Sequence, residues 1–492
     1  MPPKRANKKL ICVKKNDLTD DAKHIRILKV PTKHANKKLT CVKKNVQADV
    51  QADDAENVKI SAVPIKRANK KLTGVKKNDH VDLIKETDDR NIPILLDDAK
   101  NVKISVVQAK HNLGQYFTTN EELKEKVFNF ILNRPSNILE PSTGQGDLIA
   151  FITDRMPNIT FDMYEIDTRI KLLDGIQSDK IIYCDFMKQT ITKTYKTIIG
   201  NPPYVRTKKG NLYIDFIEKC YNHLDDQGEM IFIVPSDFLK LTCASKLLNV
   251  LMTNGSITHI YHPHNEKLFE NASIDVIVFR YCRDKLIEKK VLYNDKLMYL
   301  TNSNGLITVG EELVNDGVLF KDMFDIYVGL VSGKEEVYKN KELGNIEVLN
   351  GENMVERYIY IEKFPCENKE INKYLLQYQE QLITRGIRKF NRNNWFEWGA
   401  PRNISTINAN LGKECIYIYN LTRKTNVAFL GRVNYFGGGL IMLIPMPKKK
   451  CNLNNVVGYI NSNMFKDNFM FSGRFKIGHR QICNSHIPSE SV

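Results

Sequence analysis

Ten cysteines are scattered through the 492 residues, and no two of them form a Cys-x-x-Cys pair. Histidine is equally dispersed, with no cluster at zinc spacing, so no metal site is expected and the thiols read as reduced. No apolar run approaches the roughly 18 residues that would cross a bilayer. The start, Met1-Pro2-Pro3-Lys4-Arg5, lacks an apolar stretch, and no secretory signal is expected there. A paired-acid-plus-lysine nuclease motif is also missing. What remains is an ordinary globular composition, too long for one compact core and pointing to two or three domains.

Net charge is +16, and its placement says more than its total. Residues 1–110 hold 26 Lys and Arg against 14 Asp and Glu, residues 111–380 hold 31 against 39, and residues 381–492 hold 16 against 4. Two basic ends enclose a slightly acidic middle. The ends suit phosphates, and the middle is left for chemistry. The first 110 residues are repetitive: RANKKLICVKKN, HANKKLTCVKKN and RANKKLTGVKKN begin at Arg5, His34 and Arg67. Their spacing is irregular and their apolar content low, so a basic, disordered tail is expected over 1–110 rather than a solenoid.

From His111 strands and helices alternate. A helix is expected over Glu121–Arg134, capped at Thr119 or Asn120, and a short buried strand over Asn137–Glu140. Pro141-Ser142-Thr143-Gly144-Gln145-Gly146-Asp147 then turns into a helix at Leu148. This turn is neither G-x-G-x-x-G nor a P-loop, which disfavours dinucleotides, but its small residues let backbone approach a ligand. The next strand, Thr160–Tyr164, ends in Glu165, placed either to accept from ribose hydroxyls or to cap a helix. Strand Lys180–Cys184 ends in Asp185-Phe186, a carboxylate beside a ring, which fits an adenine. Further elements follow at Leu212–Leu224, Met230–Val234, Pro235 to about Met252, Ile257–His262 and Ile274–Tyr281. The alternation predicts an α/β, doubly wound and mostly parallel sheet, with the last hairpin supplying an antiparallel strand.

Within that frame, Ile198-Ile199-Gly200 ends a buried strand and delivers Asn201-Pro202-Pro203-Tyr204. The double proline forbids continuation as helix or ladder. The turn offers an amide, a proline carbonyl and an aromatic face, a set suited to gripping an exocyclic amino group on a flat ring.

The ordered motifs GQYFTT, ILEPSTGQGD, YEID, CDF, IIGNPPY, MIFIVPSDFL and LFENASIDVIVFR resemble the gamma group of S-adenosylmethionine-dependent DNA adenine-N6 methyltransferases, over about residues 111–285. The resemblance implies a seven-stranded class I methyltransferase sheet. It implies that Thr118 and Glu140 meet the methionine end of S-adenosylmethionine and that Pro141, Ser142, Gly144 and Gly146 form the loop around it. Glu165 would then hold the ribose hydroxyls, and Asp185 and Phe186 the cofactor's adenine. Asn201, Pro202, Pro203 and Tyr204 would take the target adenine, with Phe269 packing opposite Tyr204. Thr119 stands where the family usually has proline.

Beyond about Asp284–Thr308, arginine, asparagine and aromatics interleave at Gln381–Phe390, Asn391–Trp398, Arg432–Gly439 and Phe471–Arg480. These are base-reading residue types, and the segment resembles, more loosely, a target-recognition domain of mixed α/β structure. The expected domains are therefore the tail 1–110, a catalytic domain 111–290 and a recognition domain 310–492. The expected partners are double-stranded DNA and a separate cognate restriction endonuclease, in the cytoplasm, at the nucleoid or another DNA-containing compartment. Methyltransferases acting on an RNA amino group or a protein glutamine amide also use Asn-Pro-Pro-Tyr, but need no basic C-terminal domain of this length. A non-catalytic DNA-binding protein would not require Asn201–Tyr204 together with Asp185 and Glu165.

Overall fold

The computed structural model describes residues 114–491 apart from 208–209, 270–271, 285–288 and 313–316. The basic tail expected over 1–110 lies outside the described residues. All described residues fall in one compact unit.

Helix α1 (Glu121–Asn129) begins at Asn120, whose side chain accepts from the Leu123 N–H, and it buries Leu123 and Val127. It stops short of the expected Arg134. The N–H groups of Leu132 and Asn133 donate instead to the buried Glu229 carboxylate, at 3.1 and 3.0 Å. Arg134 then takes a positive φ of 46° just before Pro135, which a helix cannot accommodate.

Seven strands form the core of one large sheet. They are β1 (Asn137–Glu140), β2 (Thr160–Glu165), β3 (Ile181–Tyr183), β4 (Tyr195–Gly200), β5 (Leu224–Pro235), β6 (Ser256–Tyr261) and β7 (Val276–Cys282). Their order is β3-β2-β1-β4-β5-β7-β6, parallel except for β7, which runs against both neighbours. This is the class I methyltransferase topology, with the order reversing between β1 and β4 so that their carboxyl ends open one crevice. Helix α2 (Asp147–Arg155) follows β1, α3 (Leu212–Asn222) precedes β5, and α4 (Ser245–Asn254) precedes β6. Ile198, Met230, Phe232 and Phe279 fill the core on one face, and Ile138, Ile199, Ile231 and Val278 that on the other. Thr197 Oγ1 and Arg280 Nε donate to Glu229, so a buried ion pair ties β4, β5 and β7 together.

Two elements depart from the sequence expectation. The helix expected from Pro235 to about Met252 is split: Ser236–Lys240 forms a 3-10 turn, and α4 starts only at Ser245. The sheet also continues past 290, through β8 (Lys290–Tyr293), β9 (Lys296–Ser303) and β10 (Leu306–Gly310), which extend it beyond β6. Among the described residues, no helix is long and apolar enough to cross a membrane.

The C-terminal half is built on an antiparallel sheet of β11 (Phe324–Val328), β12 (Glu414–Tyr419), β13 (Ala428–Arg432) and β14 (Leu440–Pro445) in the order β11-β14-β12-β13. Helix α5 (Leu453–Asn461) covers one face through Val456 and Ile460. Tyr417, Phe436 and Met442 pack on the other face, and a separate cluster gathers around Trp395, Trp398 and Tyr338. The halves meet where Asn468 accepts from the Lys240 ammonium and Gln481 donates to the Lys240 carbonyl.

Candidate active site

Four strand ends and the segment before α1 surround a cavity of about 270 Å³. Glu140, Glu165, Asp185 and Asn201 all line it, from the ends of β1, β2, β3 and β4, and Thr118 closes it from the N-terminal side.

The loop after β1 is shaped by its glycines. Gly144 has φ +59° and Gly146 φ +90°, and a Cβ on Gly146 would stand 2.7 Å from Ile176. Left-handed backbone and close packing together leave only glycine there. Glu165 fixes the same loop. Its carboxylate accepts from the N–H of Gly144 at 2.8 Å and from those of Ile166 and Asp167 at 2.9 Å. It caps no helix; it joins the end of β2 to the glycine turn and lines the cavity.

Glu140 is 2% exposed, and its Oε2 is buried with no hydrogen-bond partner. Burial, then the charges of Asp147 and Glu165, push its carboxyl well above the ordinary range. Ser142 Oγ donates to the Asn201 carbonyl at 3.3 Å, joining this loop to the turn after β4, and Pro141 packs beside Gly200. Asp185 accepts from the Met187 N–H and pairs with Lys188 at 2.9 Å. The Phe186 ring stacks on Phe216 at 5.4 Å. Lys219 donates to the Phe186 carbonyl and lies over the Phe186 ring.

At Asn201 the side-chain amide is oriented from behind. Its Nδ2 donates to the Tyr116 carbonyl at 2.7 Å and to Thr118 Oγ1 at 3.1 Å. Both donors are thereby used, and Oδ1 is left as acceptor. The Tyr204 hydroxyl donates to that Oδ1 at 2.6 Å and also reaches the Ile233 carbonyl at 3.1 Å. Pro202 is buried, and the Pro203 carbonyl accepts from Val205 N–H at 3.0 Å.

Around this turn stands an aromatic cluster. Phe269 meets Tyr204 edge-on, with centroids 6.4 Å apart, and Tyr116 stacks on Tyr204 at 5.4 Å. One face of the Tyr204 ring is therefore occupied by Tyr116. Sequence reasoning passed over Tyr116, although it sits inside GQYFTT, and over Asp147, Phe216 and Lys219. An aromatic within a ligand-loop motif was the available signal for Tyr116. Asp147 likewise ends the ILEPSTGQGD motif, whereas Phe216 and Lys219 are brought to the site from α3 by packing alone.

The donor set fits S-adenosylmethionine. An unpartnered buried carboxylate at Glu140 suits an ammonium, carboxylates at the ends of β2 and β3 suit ribose and adenine donors, and Phe186 with Phe216 gives the adenine an apolar wall.

Residues 151–269 match the model of the Eco57I restriction-modification methylase family. The chain is 32% identical over 225 residues to the type II methyltransferase M.HincII of Haemophilus influenzae, covering 41% of this chain and 43% of that protein. It is 29% identical over 206 residues to M.MjaIV of Methanocaldococcus jannaschii, covering 35% of this chain and 68% of that protein. The solved structure of the type IIL restriction-modification enzyme MmeI in complex with DNA aligns with a TM-score of 0.48 at 10% identity, over 78% of this chain and 65% of that one. The chain thus spans less than half the length of its Haemophilus influenzae relative. Over residues 151–269 the chain is similar to Eco57I restriction-modification methylases, within a sheet of class I methyltransferase topology.

Proposed function

We propose that the chain is a site-specific DNA methyltransferase that places a methyl group on N6 of an adenine turned out of the duplex. The observation that carries this reading is the anchored Asn201 amide, whose two N–H bonds are spent on Tyr116 and Thr118 so that Oδ1 remains an acceptor beside the cofactor cavity. Adenine N6 is a poor nucleophile because its lone pair is delocalised into the ring. Two acceptors, Asn201 Oδ1 and the Pro202 carbonyl, would take its hydrogens and favour a pyramidal nitrogen with its lone pair freed. Bound S-adenosylmethionine supplies the electrophilic methyl group. Proline at 203 contributes no N–H, so the turn presents acceptors without a competing donor. Positioning and preorganised dipoles are then the chain's contribution to rate.

The Tyr204 hydroxyl occupies Asn201 Oδ1 in the structure, and an entering adenine would replace that bond with its own N–H. For the base to stack on Tyr204, Tyr116 must give up its place on that ring; Tyr204 then offers a face, and Phe269 an edge, in place of the stacking lost on extrusion. Tyr204→Ala and Phe269→Ala are each expected to weaken capture of the extruded base by about 1–3 kcal/mol, the size of one base–aromatic stack. Fluorescence of a duplex with 2-aminopurine at the target position measures this. An unchanged signal from Phe269→Ala would remove that loop from the base site.

The basic C-terminal half, rich in arginine and asparagine, is the part suited to choosing the sequence on double-stranded DNA. A separate restriction endonuclease would be the cognate partner, and a DNA-containing compartment the place of action. Sequencing of modified bases in DNA from cells expressing the chain tests the whole reading. N6-methyladenine at one fixed motif is the expected result, and N4-methylcytosine or no fixed motif would overturn it.

A further inference from the structure

The segment carrying Phe269 leaves the sheet at His262, after β6, and rejoins it at Asp275, before β7. These two ends are clasped to each other. His262 Nε2 lies 3.0 Å from both Asp275 oxygens, and the two side chains are 7% and 5% exposed. Asp275 only accepts, so Nε2 carries the proton. Ser236 Oγ donates to Asp275 Oδ2 at 2.7 Å from the turn after β5. The last contact to Asp275 comes from the C-terminal half, where the Ser472 N–H approaches Oδ2 at 3.3 Å. Ser472 is at the turn of a hairpin, Met470–Phe471 with Arg474–Lys476, whose Arg474 and Lys476 face solvent.

The clasp is also braced from outside. His262 Nδ1 lies 2.9 Å from the Tyr293 hydroxyl, and Asn294 holds the His262 N–H and carbonyl at 2.7 and 2.9 Å. Both residues belong to the strand extension that the seven-stranded core does not need. Within the loop itself, the Ile274 N–H donates to the Glu266 carbonyl at 2.9 Å and ties the two sides of the loop together near its base.

We propose that Asp275 is a positioning residue: through His262, Ser236 and Ser472 it latches the Phe269 loop in register with Tyr204 and makes that register depend on how the C-terminal half is seated. The proposal rests on the reading of Phe269 as a wall of the base pocket. A buried carboxylate with four polar contacts from three elements holds its geometry well, and losing the charge loosens every one of them at once.

The test is a double-mutant cycle on the full chain, with a duplex carrying 2-aminopurine at the methylated position. Asp275→Asn is expected to lower kcat and the extrusion signal by about tenfold, the size of one lost hydrogen bond to a charged group, while the Kd values for DNA and S-adenosylmethionine stay within about twofold. In a Phe269→Ala background the same change should alter kcat by less than about twofold, because the latch acts through that ring. His262→Gln, whose amide still donates to Asp275, should recover most of the activity that His262→Ala loses. Ser236→Ala removes one bond only and should give a smaller loss with the same signature, which keeps the test readable if Asp275→Asn folds poorly. Additive losses with Phe269→Ala, or a parallel fall in DNA affinity, would overturn the latch while leaving the base pocket intact. A silent Phe269→Ala would instead overturn the pocket reading itself, and the latch with it.

Discussion

Replacing Asn201 by alanine is expected to lower kcat by about 100-fold or more, the cost of removing a preorganised acceptor worth roughly 3 kcal/mol in the transition state. The effect belongs in kcat rather than in binding, because hydrogen bonds to N6 strengthen as the nitrogen pyramidalises. Cofactor affinity should change by only a few-fold. Asn201 lines the cofactor cavity beside Thr118, whose Oγ1 would lose one donor at 3.1 Å and could hydrogen-bond water in its place. The Tyr204 hydroxyl also loses its 2.6 Å acceptor but keeps the Ile233 carbonyl, so the local fold should persist. Single-turnover methylation and calorimetric cofactor titration, run on the same preparation, separate the two quantities. Near-normal methylation by Asn201→Ala would sink the proposed mechanism, however well the variant bound its cofactor.

Much of the catalytic half is legible in the sequence because its strands are short apolar runs that end in functional turns. The strands expected at Asn137–Glu140 and Thr160–Tyr164 form within a residue of those bounds, and the expected antiparallel strand is β7. Buried parallel strands have little freedom in composition, so pattern and structure agree there. The sheet extension is different. β9 is paired on both sides, with β8 and β10, yet only Leu300 of its eight residues is buried, so its apolar stretch Leu297–Leu300 does not follow the burial pattern of the core strands. The split after Pro235 was equally hidden, since Ser245–Asn254 and the turn before it share a helical pattern that a tertiary contact interrupts. Lys240, 5% exposed, is drawn out of the helix path toward Asn468, far away in sequence.

Within the site, the residues at strand ends were legible, and the contacts among their side chains were not. Glu165 was expected either to hold ribose or to cap a helix; what it does in the structure is accept three N–H groups that shape the Gly144 turn. Tyr204 was expected to offer a ring face with Phe269 opposite, and the stacking of Tyr116 on that ring was not foreseen. Such choices depend on which rotamers pack together, and spacing along the chain does not encode them. The His262–Asp275 clasp had no sequence signal at all, because a histidine and an aspartate thirteen residues apart are unremarkable until β6 and β7 set them side by side.

Glu140 should behave in opposite ways in stability and in binding. Its carboxyl is raised first by burial and then by Asp147 and Glu165, and one of its oxygens has no partner. A folded pKa above the unfolded one means that the folded chain holds the proton longer. The favourable contribution is full below the unfolded value and is lost as pH rises through the folded one. At neutral pH and above, Glu140 therefore costs the free protein stability, and Glu140→Gln is expected to raise Tm by about 2 °C or more, most clearly at the alkaline end. Binding runs the other way. The ammonium at the methionine end of S-adenosylmethionine favours the ionised carboxylate, so affinity should climb as pH rises through the range in which Glu140 loses its proton, and binding should release that proton. Glu140→Gln keeps the shape and loses the charge. Its affinity should be lower by about 10- to 100-fold, the size of a buried hydrogen bond between charged groups, and nearly flat in pH. Calorimetric titration of both proteins across about pH 5 to 8, with melting curves of the cofactor-free forms, reads all of these quantities. Parental affinity that does not change with pH, or a glutamine variant that binds as the parent does, would remove Glu140 from the cofactor's ammonium.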